Sequence, residues 1–162
     1  MIVVAWLIVL AMLYVFFREV LEQQYNPNRD LVSTVGPQRS AQVTLQRNRA
    51  GHYLARGKIN GKEVTLFIDT GASDVAVPGA LAAGLGLERG RKVLRHTANG
   101  LATGWSTRLA SVAVGGIQLE DVKATIMPRM KGEEILLGMS FLKNLELIQR
   151  DDQLVLRYPQ RG

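Results

Sequence analysis

The chain has 162 residues, a formal charge of +6 and no cysteine, and 47% of its residues are hydrophobic against 21% charged. Such a length is one domain, not two. Without cysteine there is no disulfide framework, thiolate zinc site or cysteine nucleophile, so a packed core must supply stability and other groups the chemistry.

The apolar residues are concentrated at the N-terminus, where residues 1–17, MIVVAWLIVLAMLYVFF, carry no charge and are followed by Arg18 and Glu19. Seventeen helical residues span about 25 Å, and Val20 and Leu21 extend the run toward the ~30 Å of a hydrocarbon core while Arg18 snorkels. No polar face recurs at a helical period, which disfavours a buried amphipathic helix. A cleaved signal peptide would need a basic leader and a small-residue cleavage site, and the run has neither. Residues 1–21 are read as an uncleaved transmembrane anchor, although the Lys and Arg count does not orient it. Residues 22–40, with Asn26-Pro27-Asn28 and Gly36-Pro37, lack an apolar period and read as a tether. Residues 18–40 hold three basic and three acidic side chains, so the net charge belongs to a domain over 41–162.

Within that domain short apolar runs alternate with glycine turns, the pattern of an all-β fold. Strands are expected over Ala41–Gln46, His52–Ile59, Glu63–Ile68, Leu109–Val114, Ile117–Met127 and Gln153–Tyr158. Asn60-Gly61, Asn99-Gly100 and Gly115-Gly116 mark hairpins. Two short helices are expected, from Gly79 to Gly84 behind Pro78 and from Met139 to Leu147 behind Gly138. The segment Thr65-Leu66-Phe67-Ile68-Asp69-Thr70-Gly71-Ala72-Ser73 delivers a carboxylate from an apolar strand into a tight turn. Burial makes such a charge costly unless something shares or satisfies it. Taken alone, Asp69 could equally be a turn aspartate bonding local N–H groups.

About 70 residues on, Glu134-Ile135-Leu136-Leu137-Gly138 is a second apolar strand ending in glycine, and Met139-Ser140-Phe141-Leu142 follows. With these elements in this order, residues 52–158 resemble the retropepsin-like aspartic proteases. They are most similar to a membrane-anchored bacterial branch with Asn-Gly ahead of the motif strand and Leu-Leu-Gly-Met-Ser-Phe-Leu near the end. The resemblance implies an acid-protease β-barrel half and peptide-bond hydrolysis without a metal or other cofactor. It also implies a bacterial inner-membrane protein with its domain on the periplasmic side.

Aspartic-protease chemistry needs two carboxyl groups sharing a proton, one to deprotonate water and one to donate to the scissile carbonyl. The chain has one Asp-Thr-Gly, at Asp69, so the expected active form is a homodimer with one catalytic Asp69 per subunit. By resemblance, Thr70 bonds across the dimer axis, Gly71 admits substrate backbone, Ala72 completes the loop, and Ser73 and Asp74 contact the substrate main chain. Gly138 would pack beneath the loop as structural support. Ser73 and Met139 stand where many viral relatives have an acidic residue and an arginine, an ion pair this chain does not form. A lid over the site is expected from Arg95 to Ser106, with Asn99 and Gly100 at its tip and Gly104 as its hinge, and substrate would add as a strand beneath it. An ordinary surface hairpin fits the same residues, and Trp105 fits either the core or a substrate pocket.

Other features carry less. Arg89, Arg91, Lys92 and Arg95 lack interleaved aromatics and read as a solvated basic surface, so no nucleic-acid partner is expected. His52 and His96 have no metal spacing. The expected function is thus a membrane-anchored, homodimeric aspartic endopeptidase acting on a protein or peptide. The alternative is a catalytically silent dimeric peptide-binding domain of the same fold.

Overall fold

The computed structural model describes residues 2–31, 33–35, 41–97 and 100–159. Helix α1 (Ile2–Tyr25) contains the whole apolar run and continues past it, and none of its residues is buried by the rest of the chain. It is long and apolar enough to cross a membrane. Then come strands β1 (Ser33–Val35), β2 (Ala41–Gln46), β3 (Leu54–Ile59), β4 (Lys62–Ile68) and β5 (Val75–Pro78), and helix α2 (Gly79–Ala82). Strands β6 (Lys92–Thr97), β7 (Gly100–Val114), β8 (Ile117–Met127) and β9 (Glu134–Leu137) precede helix α3 (Met139–Leu142). Strands β10 (Glu146–Arg150) and β11 (Gln153–Arg157) end the described domain.

Six strands close into a barrel in the order β3, β4, β9, β5, β8, β7, and β7 returns to β3 through Gly57–Val114 to Ile59–Val112. The fold is therefore mostly β, as the sequence indicates. Asn60 and Gly61, both at positive φ, make the two-residue turn between β3 and β4. Strand alternation sends Leu66, Ile68, Ile135, Leu137, Val112 and Val114 into the barrel, where Leu109 of β7 and Phe141 of α3 are also fully enclosed. Each such side chain contributes about 1.5–3 kcal/mol relative to exposure. A second sheet, ordered β1-β2-β11-β10, adds Val43, Leu45, Leu154 and Leu156 to the same core.

The second expected helix is shorter than its sequence pattern suggests. The Asn144 side chain donates to the carbonyls of Phe141 (3.0 Å) and Ser140 (3.3 Å), α3 stops at Leu142, and residues 146–150 instead pair with β11. Likewise α2 stops at Ala82, before Gly84.

The residues read as a tether make specific contacts with the barrel. Asn28 is buried; its Nδ2 donates to the carbonyls of Gln46 (2.9 Å) and Leu54 (2.6 Å), and its Oδ1 accepts from Gln46 N (2.7 Å). One amide thus links the end of β2 to the start of β3. Asn26, also buried, accepts from Asn28 N (3.0 Å), and β1 pairs with β2 from Ser33–Val43 to Val35–Ala41. Replacing Asn28 with Ala strands these backbone groups and should lower unfolding free energy by about 2–3 kcal/mol. Urea titration followed by β-sheet circular dichroism measures this, and an unchanged midpoint would show the amide to be dispensable.

Candidate active site

Strand β4 places Leu66 and Ile68 in the core, so Phe67 and Asp69 emerge on the opposite face. Asp69 N donates to Leu137 O of β9 (3.2 Å), and its carbonyl accepts from Ala72 N (3.3 Å). Its carboxylate Oδ1 accepts from Gly71 N (2.9 Å), so the half-buried acid is aimed by its own turn. Thr70 and Gly71 lie exposed at the tip of that turn, Ala72 is half-buried and Ser73 is exposed.

The turn rests on the chain that follows β9. Met139 N donates to Ala72 O (2.8 Å) and Ser140 N to Ser73 O (3.0 Å). A Cβ on Gly138 would lie 2.3 Å from Asp74 O and 2.6 Å from Ala72 O, so only glycine lets the two segments approach this closely. The Ser140 hydroxyl adds a third link, donating to Lys123 O (2.7 Å) and accepting from Val75 N (3.0 Å). Parallel pairing of β4 with β9, and of β5 with β8, fixes the strands on either side.

The expected lid is a hairpin of β6 with the first part of β7, paired from Lys92–Trp105 to Thr97–Gly100. Asn99 lies outside the described residues; Gly100, exposed at positive φ, opens β7. Gly104, the expected hinge, is tightly packed. A Cβ there would meet Thr125 Cγ2 at 2.6 Å, Met127 Sδ at 2.8 Å and Ile126 O at 2.9 Å, so this glycine presses the root of the hairpin onto β8. Trp105, half-buried beside it, carries the Arg89 guanidinium 5.9 Å from its ring centre.

Asp74 makes a contact that its place in the motif does not suggest. Its largely covered carboxylate forms an ion pair with Arg95 of β6, while Arg95 Nε donates to Thr125 Oγ1 (3.1 Å) and Thr125 Oγ1 to Asp74 Oδ2 (3.4 Å). Arg95, grouped by sequence with a solvated basic surface, ties the lid to the active-site turn. Thr125, 1% exposed, is not singled out by the sequence; its signal is a lone polar residue in the apolar run 124–127.

Other ionisable groups stand apart from this arrangement. Asp121 is exposed, and hydrogen bonds from Arg108, reinforced by its charge, hold its carboxyl below the usual carboxylate range. His96 is exposed on the lid, and His52 lies with its ring centre 5.0 Å from that of Phe67. Among the described residues no three His, Asp or Glu side chains group to hold a metal.

Three substitutions test this arrangement. Gly138→Ala drives a methyl into two backbone carbonyls and should cost about 1–3 kcal/mol, with faster amide exchange across 69–75. Asp74→Asn and Arg95→Gln should each raise protease sensitivity of residues 92–105, and the double variant should be little worse than either single one. Additive effects would show that the two side chains act separately.

Residues 55–144, more than half of the chain, match the sequence profile of the family described as "gag-polyprotein putative aspartyl protease". An uncharacterized Sinorhizobium protein encoded in the cobV 5' region is 36% identical over 120 residues, covering 72% of this chain and 52% of that protein. The chain thus spans about half the length of that relative. The crystal structure of a retropepsin-like aspartic protease from Rickettsia conorii superimposes with a TM-score of 0.61 at 30% identity, over 80% of this chain and 96% of that one. With the Asp-Thr-Gly turn seated on the glycine after β9 within a closed six-stranded barrel, the chain belongs to the retropepsin-like aspartic protease family.

Proposed function

We propose that this chain is an aspartic endopeptidase, anchored in the membrane by residues 1–21 and active as a homodimer in which each subunit contributes Asp69. The observation that carries this reading is the Asp69 carboxylate, held half-exposed at the end of a buried strand by the Gly71 N–H. The chain has a single Asp-Thr-Gly, and the two other acids weighed as a second catalytic carboxylate are engaged elsewhere, Asp74 by Arg95 and Thr125 and Asp121 by Arg108. A second copy related by a two-fold axis supplies one.

In that dimer the two carboxyl groups share one proton, since like charges this close do not both ionise. The ionised Asp69 takes a proton from a bound water as the water oxygen attacks the peptide carbonyl carbon. The protonated Asp69 donates to the carbonyl oxygen, giving a neutral diol. Collapse of the diol breaks the C–N bond as a proton passes to the leaving nitrogen. Thr70 and Gly71 border the reacting atoms; Ser73 and the lid tip at Asn99 and Gly100 are the proposed main-chain contacts for an extended peptide. Asp74 serves mainly to hold the lid.

The anchor reading rests on the length and apolar composition of α1 and on the exposure of its apolar stretch, none of which is buried by the rest of the chain. Placement in a bacterial inner membrane with a periplasmic domain rests on resemblance to the membrane-anchored bacterial branch.

Purified full-length protein in detergent should cleave a peptide library, and Asp69→Asn should lower kcat/KM about a thousandfold or more. Equal activity of the two proteins would overturn the assignment. Replacing part of the protein by Asp69→Asn subunits at constant total subunit concentration should reduce activity as the square of the unmodified fraction. A linear decline would mean that each subunit works alone.

A further inference from the structure

The end of α1 makes direct contacts with the barrel. Asn26 N donates to Glu22 O (3.0 Å), closing the last helical turn, and Arg29 pairs with Glu22 (2.9 Å) across the bend that follows. Asn48 Nδ2 donates to Tyr25 O (2.9 Å), and Arg49 Nη1 to Gln24 Oε1 (3.2 Å). The Tyr25 hydroxyl donates to the Glu134 carboxylate at the start of β9, and Asn28 is plugged between β2 and β3. Contacts on three separate segments hold the helix end against the barrel wall.

Tyr25 also lines a groove of about 310 Å³ shared with His52, Leu54, Phe67, Met130 and Leu136. Phe67 is two residues before Asp69 on β4, and Leu136 two before Gly138 on β9. Alternate strand residues share a face about 7 Å apart, so the groove runs along the outer wall of the barrel toward the Asp69 carboxylate. It is mostly apolar, with Lys131 and Glu134 among its polar residues, and its size admits a large side chain. The last residue of the membrane helix is therefore part of the wall beside the catalytic turn.

This fixes a height. Tyr25 follows Leu21, the end of the anchor, by four helical residues and Phe17, the end of the uncharged run, by eight, which is about 6–12 Å along the axis at 1.5 Å per residue. The interfacial layer on one side of the hydrocarbon is itself about 5–8 Å deep. A peptide seated beside Tyr25 thus lies within a few ångströms of the lipid headgroups. Resting on the endopeptidase and anchor readings above, we infer that the substrate is a polypeptide itself held in the same membrane. It is cut in an extended stretch close to its own membrane-embedded segment. Twelve ångströms of extended chain is about four residues. Confinement to one membrane raises the effective concentration of such a substrate, whereas a soluble peptide gains nothing from the fixed height.

The test uses the full-length chain in liposomes together with single-span reporters whose cleavable sequence, taken from the peptide library, is moved outward residue by residue. Cleavage should peak within about four to eight residues of the reporter's apolar segment. It should fall roughly tenfold when the site is moved ten residues farther. Inserting seven helix-forming residues after Glu19 lengthens α1 by about 10 Å while keeping its facing within about 20°. The peak should then move outward by about three residues. A profile flat with distance, or a peak that ignores the insertion, overturns the inference while leaving the endopeptidase intact. No cleavage of any reporter or soluble peptide overturns the endopeptidase reading, and this inference with it.

Discussion

Everything at the candidate site depends on two backbone segments lying closer together than side chains allow. The turn after β4 and the turn after β9 are joined by Met139 N to Ala72 O and Ser140 N to Ser73 O, across a gap that Gly138 leaves open. The Asp69 turn has no regular structure of its own and would cost conformational entropy to order separately, whereas Gly138 leads straight into the first turn of α3. Joined, each satisfies polar groups of the other, and parallel pairing of β4 with β9 fixes their register. Asp69 takes its direction from this frame and not from the hydrophobic core, which ends one residue earlier at Ile68.

The same frame reaches two outlying parts of the molecule. Through Asp74 it holds Arg95, so the hairpin of β6 and β7 is tied at mid-length as well as pressed onto β8 at Gly104. Through Leu136 and Phe67 it borders the groove that Tyr25 of α1 completes. The Asp69 turn, the hairpin of β6 and β7 and the end of the helix are thus joined by contacts a few residues apart.

The elements read best from sequence are those whose determinants are local. Asn60-Gly61 demands positive φ at two adjacent residues, and the structure has both. The alternation of Ala41–Gln46 reproduces β2 to the residue. The Asp-Thr-Gly turn and the Gly138 strand were visible because each is an apolar run ending at a residue with special chemistry. Strand β5 was missed because Val75–Pro78 is too short to show a period and ends in proline. Strand β10 reads from sequence as the end of a helix because 139–147 also fits a helical spacing; in the structure the Asn144 side chain bonds back to Ser140 and Phe141 where α3 ends, and residues 146–150 pair with β11. Docking of 26–30 was illegible for a stronger reason. An Asn-Pro-Asn stretch has the composition of a linker, and the partners of Asn28 are 18 and 26 residues away. The Arg95–Asp74 pair, 21 residues apart, is hidden in the same way.

Barrel closure by β3 and β7 has a consequence for how the protein meets other chains. A closed sheet presents no row of unpaired main-chain donors and acceptors. Among the described residues, the strands with one unpaired flank are β1 and β10 of the terminal sheet and β6 of the lid. Any partner that joins by extending a sheet is thereby confined to two regions, one built from the terminal strands and one on the hairpin beside the Asp69 turn.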